Sequence, residues 1–286
     1  MPIKVTRLAH VGIAAKDLNK QTAFYSDTWG LDPIDEHGKQ AFLRGEGPEH
    51  HIVTLTEGDG GLDHFAFHVA GVDEIERAAD ELNQKGIEIV MPPTKEPEPG
   101  VARAIRFKDP DGNIVELVAG VDAVSETYGA RDVKPQALNH VVLNTPDRPR
   151  MEAFYRDVLG LQLSDNVGNF MTFWRCDPNH HSLALASSHN GETGWHHAAF
   201  EVKDWQEFMK AVFAMGERKV QRQWGPGRHV AGNNLFSYYF DPEGNVIEYT
   251  AEVEQITDPN YVAPVRLPTP DVPNITDHWG SRPPGM

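Results

Sequence analysis

The stretch LNHVVLNTPDRPRMEAFYRDVLGL at residues 138–161 repeats LAHVGIAAKDLNKQTAFYSDTWGL at residues 8–31, and this pair decides the fold. Three further pairs follow in the same order, namely 47–58 with 177–188, 61–69 with 194–202, and 107–117 with 239–249. Because the four pairs keep nearly the same intervals, the sequence is a tandem duplication, and a fold prediction has to start from that duplication.

Each half of the chain divides again into two smaller units. Apolar residues at helical spacing predict a helix over 147–159 behind Asp147 as N-cap, and Asp204 and Gly216 are predicted to bound another. DPDGN and DPEGN stand before the predicted last strand of each half. Both are typical turn sequences, because proline presets φ and glycine accepts positive φ. The pattern predicts an α+β fold of four βαβββ modules in two tandem domains, at residues 1–130 and 131–255.

Residues 256–286 differ from the rest, since they are rich in proline and show neither helical nor strand periodicity. We predict an extended tail that lies on the surface or across a neighbouring subunit, with a disordered end as the alternative.

The composition limits the classes of partner. The 286 residues are 40% hydrophobic and 24% charged, which is typical of a globular protein. The formal charge of −16 argues against nucleic acid or an anionic membrane as a partner, because both would be repelled. A single cysteine, Cys176, no apolar run of membrane-spanning length and no signal-peptide pattern together predict a cytoplasmic protein.

Three residues of the second half are candidate metal ligands. His140 opens the strand LNHVVL, His197 lies inside GWHHAAF, and Glu248 lies in NVIEYT, where a buried carboxylate is costly unless it is paired or binds a metal. Each residue alone is more typical of a packed core histidine or a solvated glutamate. Three of them at equivalent positions of successive modules favour a ligand set. Two histidines and one carboxylate are typical of an open non-heme Fe(II) site, whereas zinc-finger cysteines and an HExxH helix are absent from the sequence.

These modules and motifs resemble the vicinal oxygen chelate superfamily, also known as glyoxalase/bleomycin-resistance-like, and within it the type I extradiol ring-cleavage dioxygenases. The resemblance covers roughly residues 5–255 and includes the HH motif before SLAL, the His after GPGR and the Tyr nine residues further on. It implies that the C-terminal domain holds iron through His140, His197 and Glu248.

The same resemblance implies the roles of three more residues. His181 would be the acid/base that assists O2 activation, and His229 and Tyr238 would hydrogen-bond the oxygens of a catechol. The expected reaction is ring cleavage of a catecholic aromatic by Fe(II) and O2 to a muconate semialdehyde, as in the degradation of aromatic compounds. Mn(II) is an alternative to iron because the ligand set barely distinguishes the two ions. Homo-oligomerisation is also expected from the family.

The N-terminal half keeps the equivalent ligands His10, His64 and Glu116, together with His51 in the position of His181. Counting back from the shared turn places Arg106 where the second half has Tyr238, and Pro97 where it has His229. An arginine cannot replace a phenol in proton transfer, because its pKa is far too high. We therefore predict that this domain is non-catalytic and that its site is vestigial rather than a second metal site; bound metal there would raise the stoichiometry above one per chain.

Two other functions stay open at this point, because fold does not determine function. Isomerases and drug-binding proteins share this architecture, although neither has a use for His181, His229 and Tyr238 together. The neighbouring histidines 50, 180 and 196 are predicted to point to the opposite strand face, towards the surface or a subunit contact.

Overall fold

A computed structural model describes residues 2–124, 128–188, 190–269 and 274–284 of the chain. Within these residues the order of strands and helices is βαβββ four times over, which confirms the predicted fold class. The predicted boundary between residues 130 and 131 falls in the segment that joins the second module to the third.

The N-terminal domain contains the first two modules. Its elements are β1 (Val5–Ala15), α1 (Leu18–Ala23, continued by a π-helical turn over Phe24–Thr28), β2 (Asp32–His37), β3 (Gln40–Arg44), β4 (Val53–Glu57), β5 (Gly61–Val69), α2 (Val72–Gln84), β6 (Ile89–Lys95), β7 (Val101–Lys108) and β8 (Ile114–Val121). Asp17 caps α1 by accepting a hydrogen bond from the backbone N–H of Lys20.

The C-terminal domain repeats this arrangement. Its elements are β9 (Pro135–Thr145), α3 (Arg148–Asp157), β10 (Gln162–Val167), β11 (Met171–Arg175), β12 (Leu183–Ser187), β13 (Gly194–Val202), α4 (Trp205–Glu217), β14 (Arg222–Arg228), β15 (Leu235–Phe240), β16 (Val246–Ala251) and the short β17 (Val265–Arg266). Asp147 and Asp204 cap the two helices as predicted. Gly216 does not end α4, because the helix continues to Glu217 and the left-handed residue beyond it is Lys219, with φ 54°.

Each domain is one mixed sheet made by joining two modules at their first strands. The strand orders are β2-β3-β4-β1-β5-β8-β7-β6 and β14-β15-β16-β13-β9-β12-β11-β10-β17. In every module the first strand pairs in parallel with the last, and β1·β5 and β9·β13 are antiparallel. The first and last strands of the modules, which carry the predicted ligands, therefore lie side by side in the middle of each sheet.

The two domains are joined by reciprocal contacts between a helix of one and a turn of the other. Tyr155 on α3 donates its hydroxyl to Asp109 Oδ2 at 2.8 Å, and Tyr25 of the first module donates to Asp241 Oδ2 at 3.3 Å. Asp109 and Asp241 open the two turn sequences and also accept hydrogen bonds from backbone N–H groups of their own turns. One apolar core contains buried side chains from both domains, so the sheets and helices form a continuous interior.

The tail folds back on its own domain. β17 pairs with β10, and Arg266 Nε donates to Asp165 Oδ2 at 2.6 Å. Residues 270–273 and 285–286 of the predicted tail lie outside the described part of the chain. None of the helices in the described part of the chain is long and apolar enough to cross a membrane.

Candidate metal centre and substrate cavity

The C-terminal ligand candidates converge because of strand register. Ala199 on β13 pairs with His140 on β9 on one side and with Glu248 on β16 on the other, and His197 lies two residues earlier on the same face of β13. All three ligand candidates are buried. Ile247 and Tyr249, the residues on either side of Glu248, face the apolar core. Glu248 is therefore buried on the opposite face of the sheet, and this face lines a cavity.

The spacing of the donor atoms fits a metal ion. His140 Nε2 and His197 Nε2 each lie 3.2 Å from Glu248 Oε2. Ligands at right angles around an ion with bonds of about 2.1–2.3 Å lie roughly 3.0–3.3 Å apart. His197 Nε2 and Glu248 Oε1 are buried without a hydrogen-bond partner, which a metal bond would remedy.

Protonation states and outer contacts also suit a metal. Burial lowers the pKa of His197 to about 3, so its imidazole is neutral, as a ligand must be. Burial raises the pKa of Glu248, but His140 and His197 lower it more strongly, and the net pKa is below its ordinary value. The Nδ1 of His140 lies 2.8 Å from Asn139 Oδ1, which can only accept, so Nε2 faces the centre as the lone-pair donor.

His229 and Tyr238 form a hydrogen-bonded pair beside the ligands. Tyr238 on β15 pairs in register with Glu248, and its hydroxyl lies 2.8 Å from His229 Nε2. The Nδ1 of His229 lies 3.0 Å from the carbonyl oxygen of Thr276 in the tail. Because a carbonyl only accepts, Nδ1 carries the proton, and Tyr238 therefore donates to Nε2. Burial raises the pKa of Tyr238 well above its usual value and lowers that of His229.

His181 completes the group. It lies on the loop between β11 and β12, buried, with its ring centroid 4.1 Å from that of His140. Burial and the nearby histidines hold its pKa well below the usual value, so the ring is neutral.

One neighbouring histidine departs from the prediction. His180 does not face the surface: it is fully buried, with Nδ1 3.0 Å from Nδ1 of His181 and Nε2 3.4 Å from Asp165 Oδ2. Strand alternation does not apply here, because both residues lie on a loop. His196 is solvent-exposed but borders the cavity, with its Nδ1 2.7 Å from Nδ1 of His197.

A cavity of about 320 Å³ joins these side chains. His140, His181, His197, His229 and Tyr238 line one part of it. The rest is mostly apolar, and it also includes the polar residues His196, Gln223 and Thr276. Its apolar members are Val142, Val167, Phe170, Met171, Phe173, Trp224, Ala231, Ile275, Pro283 and Pro284.

The tail, predicted as an extended surface segment, also supplies part of this wall through Ile275, Thr276, Pro283 and Pro284. Trp224 and the tail residues were missed by sequence reasoning. No local pattern relates the tail to the cavity, because the contact joins segments that are distant in sequence.

The N-terminal domain contains a related but different cluster. His10, His64 and Glu116 converge as their counterparts do, and Arg106 pairs in register with Glu116 as Tyr238 does with Glu248. Arg106 Nε donates to Glu116 Oε1 at 2.8 Å. Glu98, the residue after Pro97, also enters the cluster, with Oε1 3.4 Å from both His10 Nε2 and His51 Nε2. Alignment of the two halves had placed Pro97 opposite His229, and so it missed Glu98, the next residue.

Comparison with known proteins places both domains in one superfamily. The sequence profile of the Glyoxalase/Bleomycin resistance protein/Dioxygenase superfamily matches residues 7–117 and 137–249, one match in each domain. Metapyrocatechase 2 of Cupriavidus necator is 36% identical over 183 residues. That match covers 57% of this chain and 57% of the relative, so it spans little more than half of that protein.

Two longer matches cover almost the whole chain. The iron-dependent extradiol dioxygenase of Rhodococcus jostii (strain RHA1) is 27% identical over 284 residues, which is 91% of this chain and 94% of that protein. The crystal structure of the Mn(II)-bound glyoxalase from Novosphingobium aromaticivorans is 31% identical and superposes with a TM-score of 0.89, covering 99% of this chain and 97% of that one. These matches confirm the predicted resemblance and the two-domain fold.

Proposed function

The chain belongs to the Glyoxalase/Bleomycin resistance protein/Dioxygenase superfamily, and we propose that it is an extradiol dioxygenase that cleaves the ring of a catechol with O2. One observation carries the proposal: a two-histidine, one-carboxylate metal site opens into the same cavity as His181, His229 and Tyr238. Three protein ligands leave coordination positions open for substrate. A non-oxidative isomerase of this fold has no use for the three additional side chains together.

We propose iron(II) as the metal, held by His140, His197 and Glu248, with manganese(II) as the alternative. One relative is named iron-dependent, and one similar structure holds Mn(II). An ion held by these three residues would leave open coordination positions for substrate and O2, and would supply the redox chemistry of the reaction.

His229 and Tyr238 would act on the catechol oxygens. His229 is neutral, and its Nε2 accepts the Tyr238 hydroxyl. An incoming catechol hydroxyl would take the place of Tyr238 at Nε2, where His229 can take its proton, and would free the Tyr238 hydroxyl. Tyr238 keeps its proton because burial raises its pKa, and its hydroxyl can donate to the ionised oxygen.

His181 would act as the acid/base that assists the activation of O2. Its ring is neutral, and its Nδ1 is directed at His180, so Nε2 is the atom left for the reactants. The neutral imidazole would carry its proton on Nε2 and could donate it to oxygen during ring cleavage, then regain a proton from the hydroxyl groups of the reactants. The expected product is a yellow muconate semialdehyde that retains both atoms of O2.

The cavity favours an apolar catechol. Among the described residues that line it, none is lysine or arginine, and most are aromatic or aliphatic. A carboxylate on the substrate would be buried there without a lysine or arginine to balance its charge, which is unfavourable. Catechol, alkylated catechols and biaryl catechols therefore fit better than carboxylated ones.

The test starts from anaerobic protein loaded separately with Fe(II) or Mn(II). Catechol, 2,3-dihydroxybiphenyl or 3,4-dihydroxybenzoate is added, air is admitted, and O2 uptake is followed together with near-visible absorbance. We expect one O2 per ring cleaved, a yellow product, and at least a tenfold lower kcat/KM for the carboxylated substrate. No O2 uptake by metal-loaded protein with any of the three would refute the proposal, and a preference for the carboxylated substrate would refute the substrate class alone.

A further inference from the structure

We propose that the N-terminal domain binds a second divalent transition-metal ion through His10, His64, Glu98 and Glu116. This site does not depend on the proposed function, because it lies in the other domain and shares no residue with the catalytic cavity. It differs from the vestigial site predicted from the sequence by one ligand, Glu98, which the structure adds.

The four donor atoms have the spacing of a coordination shell. His10 Nε2 lies 3.0 Å from His64 Nε2, 3.1 Å from Glu116 Oε2 and 3.4 Å from Glu98 Oε1. His64 Nε2 lies 3.3 Å from Glu116 Oε2. Neighbouring ligands of an ion with bonds of about 2.1–2.3 Å have this separation, as in the C-terminal domain.

Several oxygen atoms of the cluster lack a hydrogen bond, although Arg106 Nη2 lies 3.7 Å from Glu98 Oε2 and 3.3 Å from His64 Nε2. Both carboxylate oxygens of Glu98 and Oε2 of Glu116 are buried without a hydrogen bond, and the side chain of Glu98 is only 2% exposed. With the histidines counted as neutral, as metal ligands are, two carboxylates face one guanidinium, that of Arg106, which leaves one formal negative charge in the interior. An unpaired buried charge of this kind is strongly unfavourable, and a divalent cation would compensate it.

The surroundings hold the ligands as the outer shell of a metal site does. His64 Nδ1 lies 2.8 Å from Asp63 Oδ2, an arrangement of carboxylate and histidine that turns Nε2 towards the ion. Arg106 donates to Oε1 of Glu116 and leaves Oε2 to the cluster. Gly12 allows the His64 ring its position, because a Cβ there would come within 2.3 Å of ring atoms.

The ligand set also indicates the kind of ion and its role. Two imidazole nitrogens with two carboxylates suit a first-row transition metal better than Ca²⁺ or Mg²⁺, which prefer oxygen ligands. All four ligands are buried, and four protein ligands are typical of a structural rather than a catalytic site. We expect the ion to stabilise the N-terminal sheet where β1, β5 and β8 meet.

The test measures metal content per chain. Full-length protein is loaded with Mn(II), freed of excess metal by gel filtration and analysed by mass spectrometry of the metal, for wild type, Glu248→Ala, Glu98→Gln and Glu96→Gln. Glu96 is an exposed matched control two residues from the ligand. We expect two ions in wild type and in Glu96→Gln, and one in each of the other two variants.

A stoichiometry of one in wild type, unchanged in Glu98→Gln and lost in Glu248→Ala, would overturn the proposal and mean that a proton balances the charge instead. If Glu98→Gln fails to fold, anomalous diffraction from wild-type crystals soaked in Mn(II) decides the matter. A peak among His10, His64 and Glu116 supports the site, and a peak in the C-terminal domain alone overturns it. Neither readout depends on ring cleavage, so failure here is distinguishable from failure of the proposed reaction.

Discussion

Substitution of Asp277 by alanine should loosen the tail from His229 and lower activity without touching the metal ligands. Asp277 is buried and accepts hydrogen bonds from the backbone N–H of Arg228 at 2.9 Å and of Trp279 at 3.0 Å. It accepts another from the backbone N–H of Ser281 at 2.9 Å. These bonds shape the tail so that its preceding residue, Thr276, presents a carbonyl oxygen to His229.

The magnitude follows from those three bonds. The Arg228 bond joins the tail to the domain, and the Trp279 and Ser281 bonds hold the tail in its docked shape. At about 1 kcal/mol each, their loss costs about 3 kcal/mol of the ordered, docked tail relative to an open, unstructured one, which shifts that equilibrium roughly 100-fold. Among the contacts that remain are the backbone bonds from His278 to Arg228 and from Val230 to Thr276, the bond from Trp224 Nε1 to Ser281 Oγ, and the ring contact between Trp205 and Trp279. An open tail leaves Nδ1 of His229 without its carbonyl partner and exposes the cavity to water.

The assay is hydrogen exchange of the amides in residues 274–284, combined with steady-state kinetics. We expect protection of this peptide to fall about 100-fold and kcat/KM to fall about tenfold or more, while metal content stays constant. The control is Asp258→Ala, which removes an exposed turn contact to the backbone N–H of Asn260, away from the cavity. Unchanged protection of 274–284 in the Asp277 variant would refute the argument that this carboxylate anchors the tail.

Four other changes have defined outcomes. Tyr238→Phe should lower kcat/KM about 10- to 100-fold, since a hydrogen bond to a charged oxygen contributes about 1.5–3 kcal/mol; loss of metal in this variant would contradict the role. Glu248→Ala should abolish ring cleavage together with one bound ion per chain, and retained activity would exclude Glu248 as a ligand. In metal-free protein the pKa of His181 is depressed in the folded state, so just below about pH 6.5 the imidazole is protonated in the unfolded state but not in the folded one. The free energy of unfolding therefore decreases as the pH is lowered. His181→Gln should reduce that slope by about 1.4 kcal/mol per pH unit, measured by urea unfolding between pH 7 and 5, and an unaltered slope would disprove the shift. Tyr155→Phe should destabilise the protein by about 1–2 kcal/mol, and equal unfolding midpoints would show that its bond to Asp109 contributes nothing.

The sequence was sufficient to predict the architecture and the meeting of the three ligand candidates of the C-terminal domain, whereas His181, His229 and Tyr238 were expected from the family resemblance; the roles of all six stay predictions. The reason is physical: strand alternation and module equivalence determine which residues share a face and a register. His140 and Glu248 meet because both pair with the same residue of the strand between them. Such relations are periodic, and periodicity can be read from a single chain.

Contacts made by loops and by the tail were beyond such reasoning. Glu98 follows β6 in a segment with no strand period, and alignment to the other half pointed at Pro97 instead. His180 was expected on a surface, but it lies on a loop where alternation has no meaning. Thr276 reaches His229 across 47 residues of sequence, and no local pattern indicates that contact. Assembly into oligomers and location in the cytoplasm stay predictions.

The reciprocal tyrosine contacts between the domains have a consequence for how the chain can be taken apart. Asp109 accepts a hydrogen bond from Tyr155, and Asp241 accepts one from Tyr25. Each domain therefore stabilises a turn of the other through contacts that do not depend on the peptide connection between them. Cutting the connection between β8 and β9 should therefore leave a noncovalent pair of fragments that reassemble after separation. In such a two-piece protein, each metal cluster could be altered, labelled or replaced on its own fragment before mixing.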